Sequence, residues 1–268
     1  MYHSISNDPE NGRSGYYRVC TAPKRFAEQM SWLAENGYEG VSLGTGLARL
    51  TAAESRDGRK PVAITFDDGF RDFYLEAFPV LQRYRFQATM YLPTAYIGNS
   101  PLSFQGRECM TWLEAAELHS AGTEFGSHTV NHPKLIECDW PQIELELRDS
   151  KSAIEQRLRG KTQAFAYPYA FPQARKQFVP RFQQALKKAG YESCVTTEVG
   201  RVRAGDNWLA LKRLPINDAD DAALLRAKIE GAYDWLAIPQ ASAKAALETV
   251  NRRSNRDRNS RTEASASA

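Results

Sequence analysis

The chain is short of cysteines, histidines and long apolar runs, and each shortage removes a class of protein. Its four cysteines, Cys20, Cys109, Cys138 and Cys194, are scattered with no Cys-x-x-Cys spacing, which excludes zinc knuckles and thioredoxin-like redox pairs. A chain of 268 residues with 42% hydrophobic content can bury a sizeable core without disulfides, so free thiols are expected. No apolar run approaches the roughly 20 residues of a membrane-spanning helix. The opening Met1-Tyr2-His3-Ser4-Ile5 has neither the basic nor the apolar segment of a secretory leader. A cytoplasmic location is the matching expectation. The net charge of +3 resides entirely beyond Ala241, where Lys244, Arg252, Arg253, Arg256, Arg258 and Arg261 face Glu248, Asp257 and Glu263. The body is therefore neutral, and nucleic acid is not an expected partner. Residues 239–268 have the composition of a disordered basic tail, following a single domain over residues 1–238.

What is present is concentrated in two places. Ile64-Thr65-Phe66-Asp67-Asp68-Gly69-Phe70 sets adjacent carboxylates after the apolar run Val62-Ala63-Ile64, which reads as a buried parallel strand. Gly69 supplies a turn, and a helix is expected over residues 71–84. By itself Asp-Asp-Gly is an ordinary solvated turn. Farther on, Gly126-Ser127-His128-Thr129-Val130-Asn131-His132-Pro133 offers two of the four histidines. Pro133 disfavours helical geometry at His132 and places the pair on a loop. One carboxylate and two imidazoles form a three-ligand set for a catalytic divalent cation, with positions left for water and substrate.

Strand and helix patterns alternate along the body. Strands are expected over residues 1–5, 39–43, 60–66, 86–92, 124–127, 163–167, 193–197 and 209–216. Helices are expected over residues 23–36 with Thr21 as cap, then 47–54, 112–122, 139–158, 174–189 and 220–236. Thr111-Trp112-Leu113-Glu114 is a capping box. This alternation predicts an α/β fold with a parallel sheet, and the count suits a barrel.

With these residues in view, the chain resembles the polysaccharide deacetylases, the nodulation-factor deacetylase group of carbohydrate esterases. Thr65-Phe66-Asp67-Asp68-Gly69 is similar to that family's first motif and His128-Thr129-Val130-Asn131-His132 to its second. Phe165-Ala166-Tyr167-Pro168-Tyr169-Ala170 is a weaker match to its third. The resemblance implies a distorted (β/α) barrel of about seven parallel strands and metal-dependent removal of acetyl groups from an acetylated sugar or glycan. It implies that Asp68, His128 and His132 hold the metal, zinc first, with nickel or cobalt as alternatives. Asp67 would be the general base, and the backbone N–H of Tyr169 would line the oxyanion hole. The chain departs from the pattern at Ala166, where an arginine usually steadies the base, and at Ala170, where a glycine is usual. Arg213, at the end of the last expected strand, could replace that arginine or be an ordinary strand-end charge.

The family's late histidine, its usual general acid, has no counterpart after His132. His3 and His119 remain. His119 sits near a helix end, where an imidazole has a structural role. His3 resembles the acid of a subgroup acting on N-acetylglucosamine exopolysaccharides, whose histidine motif lies at the N-terminus. Tyr91, Trp112, Tyr167, Tyr169 and Trp208 could stack on sugar rings, although aromatics more often fill cores. Two other readings are a hydrolase of a non-sugar amide or formamide C–N bond, and a sugar-binding protein that has lost catalysis. The retention of Asp67 and all three ligand residues opposes the last.

Overall fold

The structure is a computed structural model that describes residues 1–8, 10, 18–52 and 58–236. The expected tail at 239–268 lies outside the described residues.

The sheet that carries the site is parallel throughout. Its strands are β5 (Thr65–Phe66), β6 (Thr89–Leu92), β9 (Glu124–Ser127), β10 (Ala164–Ala166), β11 (Ser193–Val199) and β12 (Leu211–Arg213), hydrogen-bonded in the order β12-β11-β10-β9-β6-β5. Every residue of β6 and β10 is buried, as expected of parallel strands covered on both faces. Helices α3 (Phe78–Tyr84), α4 (Trp112–Ser120), α5 (Trp140–Leu158), α6 (Phe178–Lys188) and α7 (Ala222–Glu230) connect or follow these strands. The Thr111 capping box forms as expected. The N-terminal third adds β1 (Ser4–Ile5) paired with β2 (Cys20–Thr21), α1 (Pro23–Glu35), β3 (Tyr38–Val41), α2 (Leu43–Ala52) and β4 (Lys60–Ala63). A hairpin of β7 (Ser103–Phe104) and β8 (Arg107–Glu108) completes the described strands.

The sheet curls, and the start of the chain bridges its two ends. On one side the Tyr2 N–H donates to Thr65 O (2.8 Å) and the Asp67 N–H to Tyr2 O (3.1 Å). On the other, the Ile216 N–H donates to Met1 O (3.0 Å) and the Met1 nitrogen to Leu214 O (2.9 Å). Met1–Tyr2 thus acts as a seventh stave between β5 and the segment after β12. Tyr2 is anchored there by its ring, 5.3 Å from Phe66 and 5.2 Å from Phe26. The expected distorted barrel of about seven parallel strands is the fold.

Several boundaries differ from the sequence pattern. The run 60–66 is not one buried strand: Lys60, Pro61 and Ala63 are exposed, and β4 pairs with β3. The chain changes partners at Ile64, whose N–H donates to Val41 O while its carbonyl accepts from Thr89 N. Thr21 does not cap α1; Ala22 holds the cap position without a side-chain bond, and Thr21 is in β2. The helix expected over 71–84 opens as a π-turn at Phe73–Ala77 before α3. The helix expected from Ala174 begins at Phe178, and α7 stops at Gly231, whose φ of 95° ends it in a left-handed cap. Among the described residues no helix is long and apolar enough to cross a membrane.

Candidate active site

β5 and β9 deliver their following residues, Asp67-Asp68 and His128, to the same end of the sheet, the C-terminal end of parallel strands where such folds place chemistry. The adjacent aspartates then diverge. Asp68 adopts a left-handed backbone (φ 72°) followed by left-handed Gly69 (φ 64°), a conformation that Asp tolerates better than most residues. Asp67 faces Arg213, and Asp68 faces the two histidines. Both carboxylates, His128, His132 and Arg213 are buried.

Asp68 Oδ1 lies 3.5 Å from His128 Nε2 and 3.4 Å from His132 Nε2, and the two Nε2 atoms are 3.1 Å apart. The donor set fits a divalent cation. Ligand atoms about 2.0–2.1 Å from a tetrahedral centre stand roughly 3.3–3.4 Å from one another, within the span of these three separations. His128 Nδ1 is 2.8 Å from Ala166 O, which places its proton on Nδ1 and leaves the Nε2 lone pair facing Asp68. His132 is held differently. Its Nδ1 is buried without a partner, and its ring is gripped edge-on by Phe104 (5.1 Å) and Tyr169 (4.6 Å). Burial and the neighbouring His128 push His132 down to about 4. Burial also lowers His128, but the Asp68 carboxylate outweighs it and the net shift is upward.

Arg213 makes two parallel contacts of 2.7 Å with Asp67 and donates through Nε to Thr196 O (2.9 Å). Burial disfavours the Asp67 anion, yet the guanidinium overrides this and holds the carboxyl well below the usual range, so Asp67 is ionised at neutral pH. A depressed folded-state pKa stabilises the fold above the unfolded value of about 4, and that stability is lost as pH falls through the folded one. Arg213→Met would strand a buried anion at a cost of about 3–5 kcal/mol, measurable by denaturant unfolding at neutral pH. A cost under about 1 kcal/mol at pH 7 would show that the pair carries no such weight.

His3 follows the bridging stave and so reaches the same end of the barrel. Burial lowers its pKa, opposed by the Asp68 and Asp67 charges, which places its imidazole within their electrostatic reach. His119 is at the opposite end of β9: its Nδ1 lies 3.4 Å from Thr123 O, just before that strand begins. Tyr169 has φ 60°, and its exposed ring covers His132. Its N–H has no hydrogen-bond partner among the described residues, whereas its carbonyl accepts from Thr197 Oγ1 (3.1 Å). Of the aromatics singled out for sugar stacking, Tyr91, Trp112 and Tyr167 are core; Tyr169 and Trp208 are exposed.

Left-handed backbone marks the site independently. Asp68, Thr129, His132 and Tyr169 make up half of the eight described non-glycine residues with positive φ. Such conformations cost on the order of 1–3 kcal/mol and gather at functional sites. Sequence reading missed Thr129 (φ 71°), whose Oγ1 accepts the His132 N–H (2.9 Å). It also missed Phe104 and the buried Glu146. Only Glu146 left a signal, as an acidic residue within the inward stripe Ile143, Leu147 and Ile154 of α5. A cavity of about 620 Å³, lined by Leu47, Val62, Leu211, Leu225 and Ile229 among others, reaches Thr65 and Arg213 but none of the three ligand-type residues.

The chain as a whole has relatives among known proteins. The polysaccharide deacetylase family model matches residues 54–194. YxkH of Bacillus subtilis, a candidate polysaccharide deacetylase, is 30% identical over 230 residues, covering 86% of this chain and 75% of that protein. The poly-β-1,6-N-acetyl-D-glucosamine N-deacetylase of Staphylococcus aureus is 25% identical over 203 residues, covering 72% of this chain and 67% of its own length. Among solved structures, the Streptococcus pyogenes deacetylase PplD in complex with acetate superposes with a TM-score of 0.73 at 28% identity, covering 85% of this chain and 95% of that one. The chain belongs to the polysaccharide deacetylase family, whose members are carbohydrate-active enzymes that depend on divalent metals.

Proposed function

We propose that this chain removes N-acetyl groups from an acetylated amino-sugar polymer, with zinc held by Asp68, His128 and His132. The observation that carries the reading is the division of labour between adjacent carboxylates: Asp68 is turned to two imidazole nitrogens, Asp67 to a guanidinium. The polymer class is supported by the Staphylococcus aureus relative, named for poly-β-1,6-N-acetyl-D-glucosamine. A divalent cation supplies Lewis acidity toward the acetyl carbonyl and lowers the pKa of water from 15.7 toward about 7.

The remaining work falls to the chain's own residues. Asp67, kept anionic and fixed in orientation by Arg213, takes the proton from the attacking water. The Tyr169 N–H, without a hydrogen-bond partner among the described residues, donates to the oxyanion as charge develops on it. The left-handed backbone at Tyr169 fixes where that N–H points. His3 gives its proton to the departing amine. Tyr169, exposed beside His132, offers an aromatic surface on which a sugar ring can rest.

The metal assignment is tested by titrating the chelated protein with Zn²⁺ and following acetate release from N-acetylglucosamine oligomers. One ion per chain should bind, and activity should return in proportion. Asp68→Ala/His128→Ala should lose both. Full metal content in that double variant, or turnover that survives exhaustive chelation, would refute the ligand set. Metal-restored turnover on a simple amide but on no acetylated sugar would move the substrate outside carbohydrates.

A further inference from the structure

The second ligand histidine is four residues beyond the first and outside regular secondary structure, so something must hold the intervening loop. His128 is fixed by its position after β9 and by Ala166 O. The backbone then passes through left-handed Thr129 to left-handed His132 (φ 53°), and His132 Nδ1 is without a partner. Among the described residues no hydrogen bond to Nδ1 locates the ring of His132. Its ring is flanked by Phe104 and Tyr169, and its backbone is placed by the loop.

That loop is gripped from α5. Glu146 Oε2 accepts the N–H groups of Val130 (2.7 Å) and Asn131 (3.0 Å), and its Oε1 accepts Asn131 Nδ2 (2.8 Å). One turn farther along the same helix face, Ser150 Oγ lies 2.6 Å from Ser127 Oγ, which receives the Thr129 N–H (3.2 Å). Residues 127–131 are therefore tied to one face of α5, while the Thr129 and Val130 carbonyls accept from the Thr94 and Ala95 N–H groups (3.1 and 2.9 Å). Glu146 is buried at 4% exposure. A carboxyl group in such a place is costly without partners, and the partners it has are three donors of the metal-loop candidate.

We infer that Glu146 is a positioning residue for the metal centre: it holds the 129–132 loop so that His132 Nε2 is presented to the point shared with Asp68 and His128. The inference rests on the metal reading given above. Glu146 acts not on the ligand nitrogens but through the backbone of Val130 and Asn131 and the Asn131 side chain. Its carboxylate suits the task because it accepts at every position. A glutamine in its place would aim one N–H group at the Asn131 amide, donor against donor.

The test measures metal affinity at equilibrium, without turnover. Zn²⁺ is titrated calorimetrically into the chelated full-length chain, and Co²⁺ absorption bands report the coordination geometry. Glu146→Gln and Glu146→Ala should weaken Zn²⁺ binding by about 10- to 100-fold, the usual loss when an outer partner of a ligand is removed, and alter the Co²⁺ spectrum. Adding Asn131→Asp to Glu146→Gln reverses the donor and acceptor of the side-chain contact and should recover part of the affinity. A structural helix residue would instead lower the melting temperature while leaving the Zn²⁺ Kd and Co²⁺ spectrum of the folded protein unchanged, and that result overturns the inference. If Glu146→Ala fails to fold, the Glu146→Gln pair decides: equal affinity with and without Asn131→Asp, at the unaltered chain's level, also overturns it. Absence of Zn²⁺ binding by the unaltered chain would sink the metal reading itself.

Discussion

Asp67→Asn should retain its metal and lose on the order of 10²–10⁴ in kcat on an N-acetylated oligosaccharide. An amide nitrogen cannot take a proton from water at neutral pH. Asp67 is not one of the three clustered ligand-type residues, and both of its oxygens are engaged at 2.7 Å by Arg213. The same substitution leaves the buried guanidinium without its anionic partner, so some stability is lost as well. Assays below the variant's melting temperature, with elemental analysis on the same sample, separate the two effects. Metal lost together with turnover would make Asp67 a ligand rather than the base.

His3→Ala should show a comparable loss on an N-acetyl sugar, on the order of 10²–10⁴ in kcat, with the metal kept. Amines depart poorly unless protonated, whereas the leaving group of an activated acetate ester needs little help. The penalty on the ester should therefore be much smaller. His3 must carry a proton to act, so turnover of the unaltered protein falls as pH rises through its pKa, and the variant should lack that limb. The position of His3 just after a barrel-closing stave, with Asp67 and Asp68 as its charged neighbours, motivates the assignment. An undiminished N-acetyl reaction in His3→Ala would remove it, most clearly if His119→Ala were inactive with metal bound.

The parts legible in the sequence were those encoded locally. The Thr111 capping box, the strand-to-turn run ending in Asp67-Asp68, and the His128 and His132 pair are short patterns whose chemistry depends on neighbours in the chain. Arg213 was legible only as a candidate, because its partner lies far away in sequence and only the curl of the sheet brings them together. The division of residues 60–66 between two sheets was not legible, since β4 and β5 share one continuous apolar pattern and differ only in partner. Thr129 illustrates a different limit. A β-branched residue with positive φ contradicts its local preference, and the surrounding hydrogen bonds that enforce it belong to the folded molecule. Glu146 was visible as an acid among apolar positions, but its partners were not.

The bridge from Met1 and Tyr2 to Thr65 and to Leu214–Ile216 has a consequence for how the molecule comes into being. The contact between Met1 and Leu214 spans a sequence separation of 213, nearly the full described chain. During synthesis Met1 and Tyr2 must wait until residues 214–216 have been made before their second edge partner exists. Contacts this distant raise topological complexity and slow folding. Arg213 arrives in the same final stretch, so Asp67 stays without its cation until then. A nascent chain can therefore carry Asp68, His128 and His132 well before it carries a steadied base. Translation arrest before residue 213 should yield a protein that can collect metal and cannot turn over substrate.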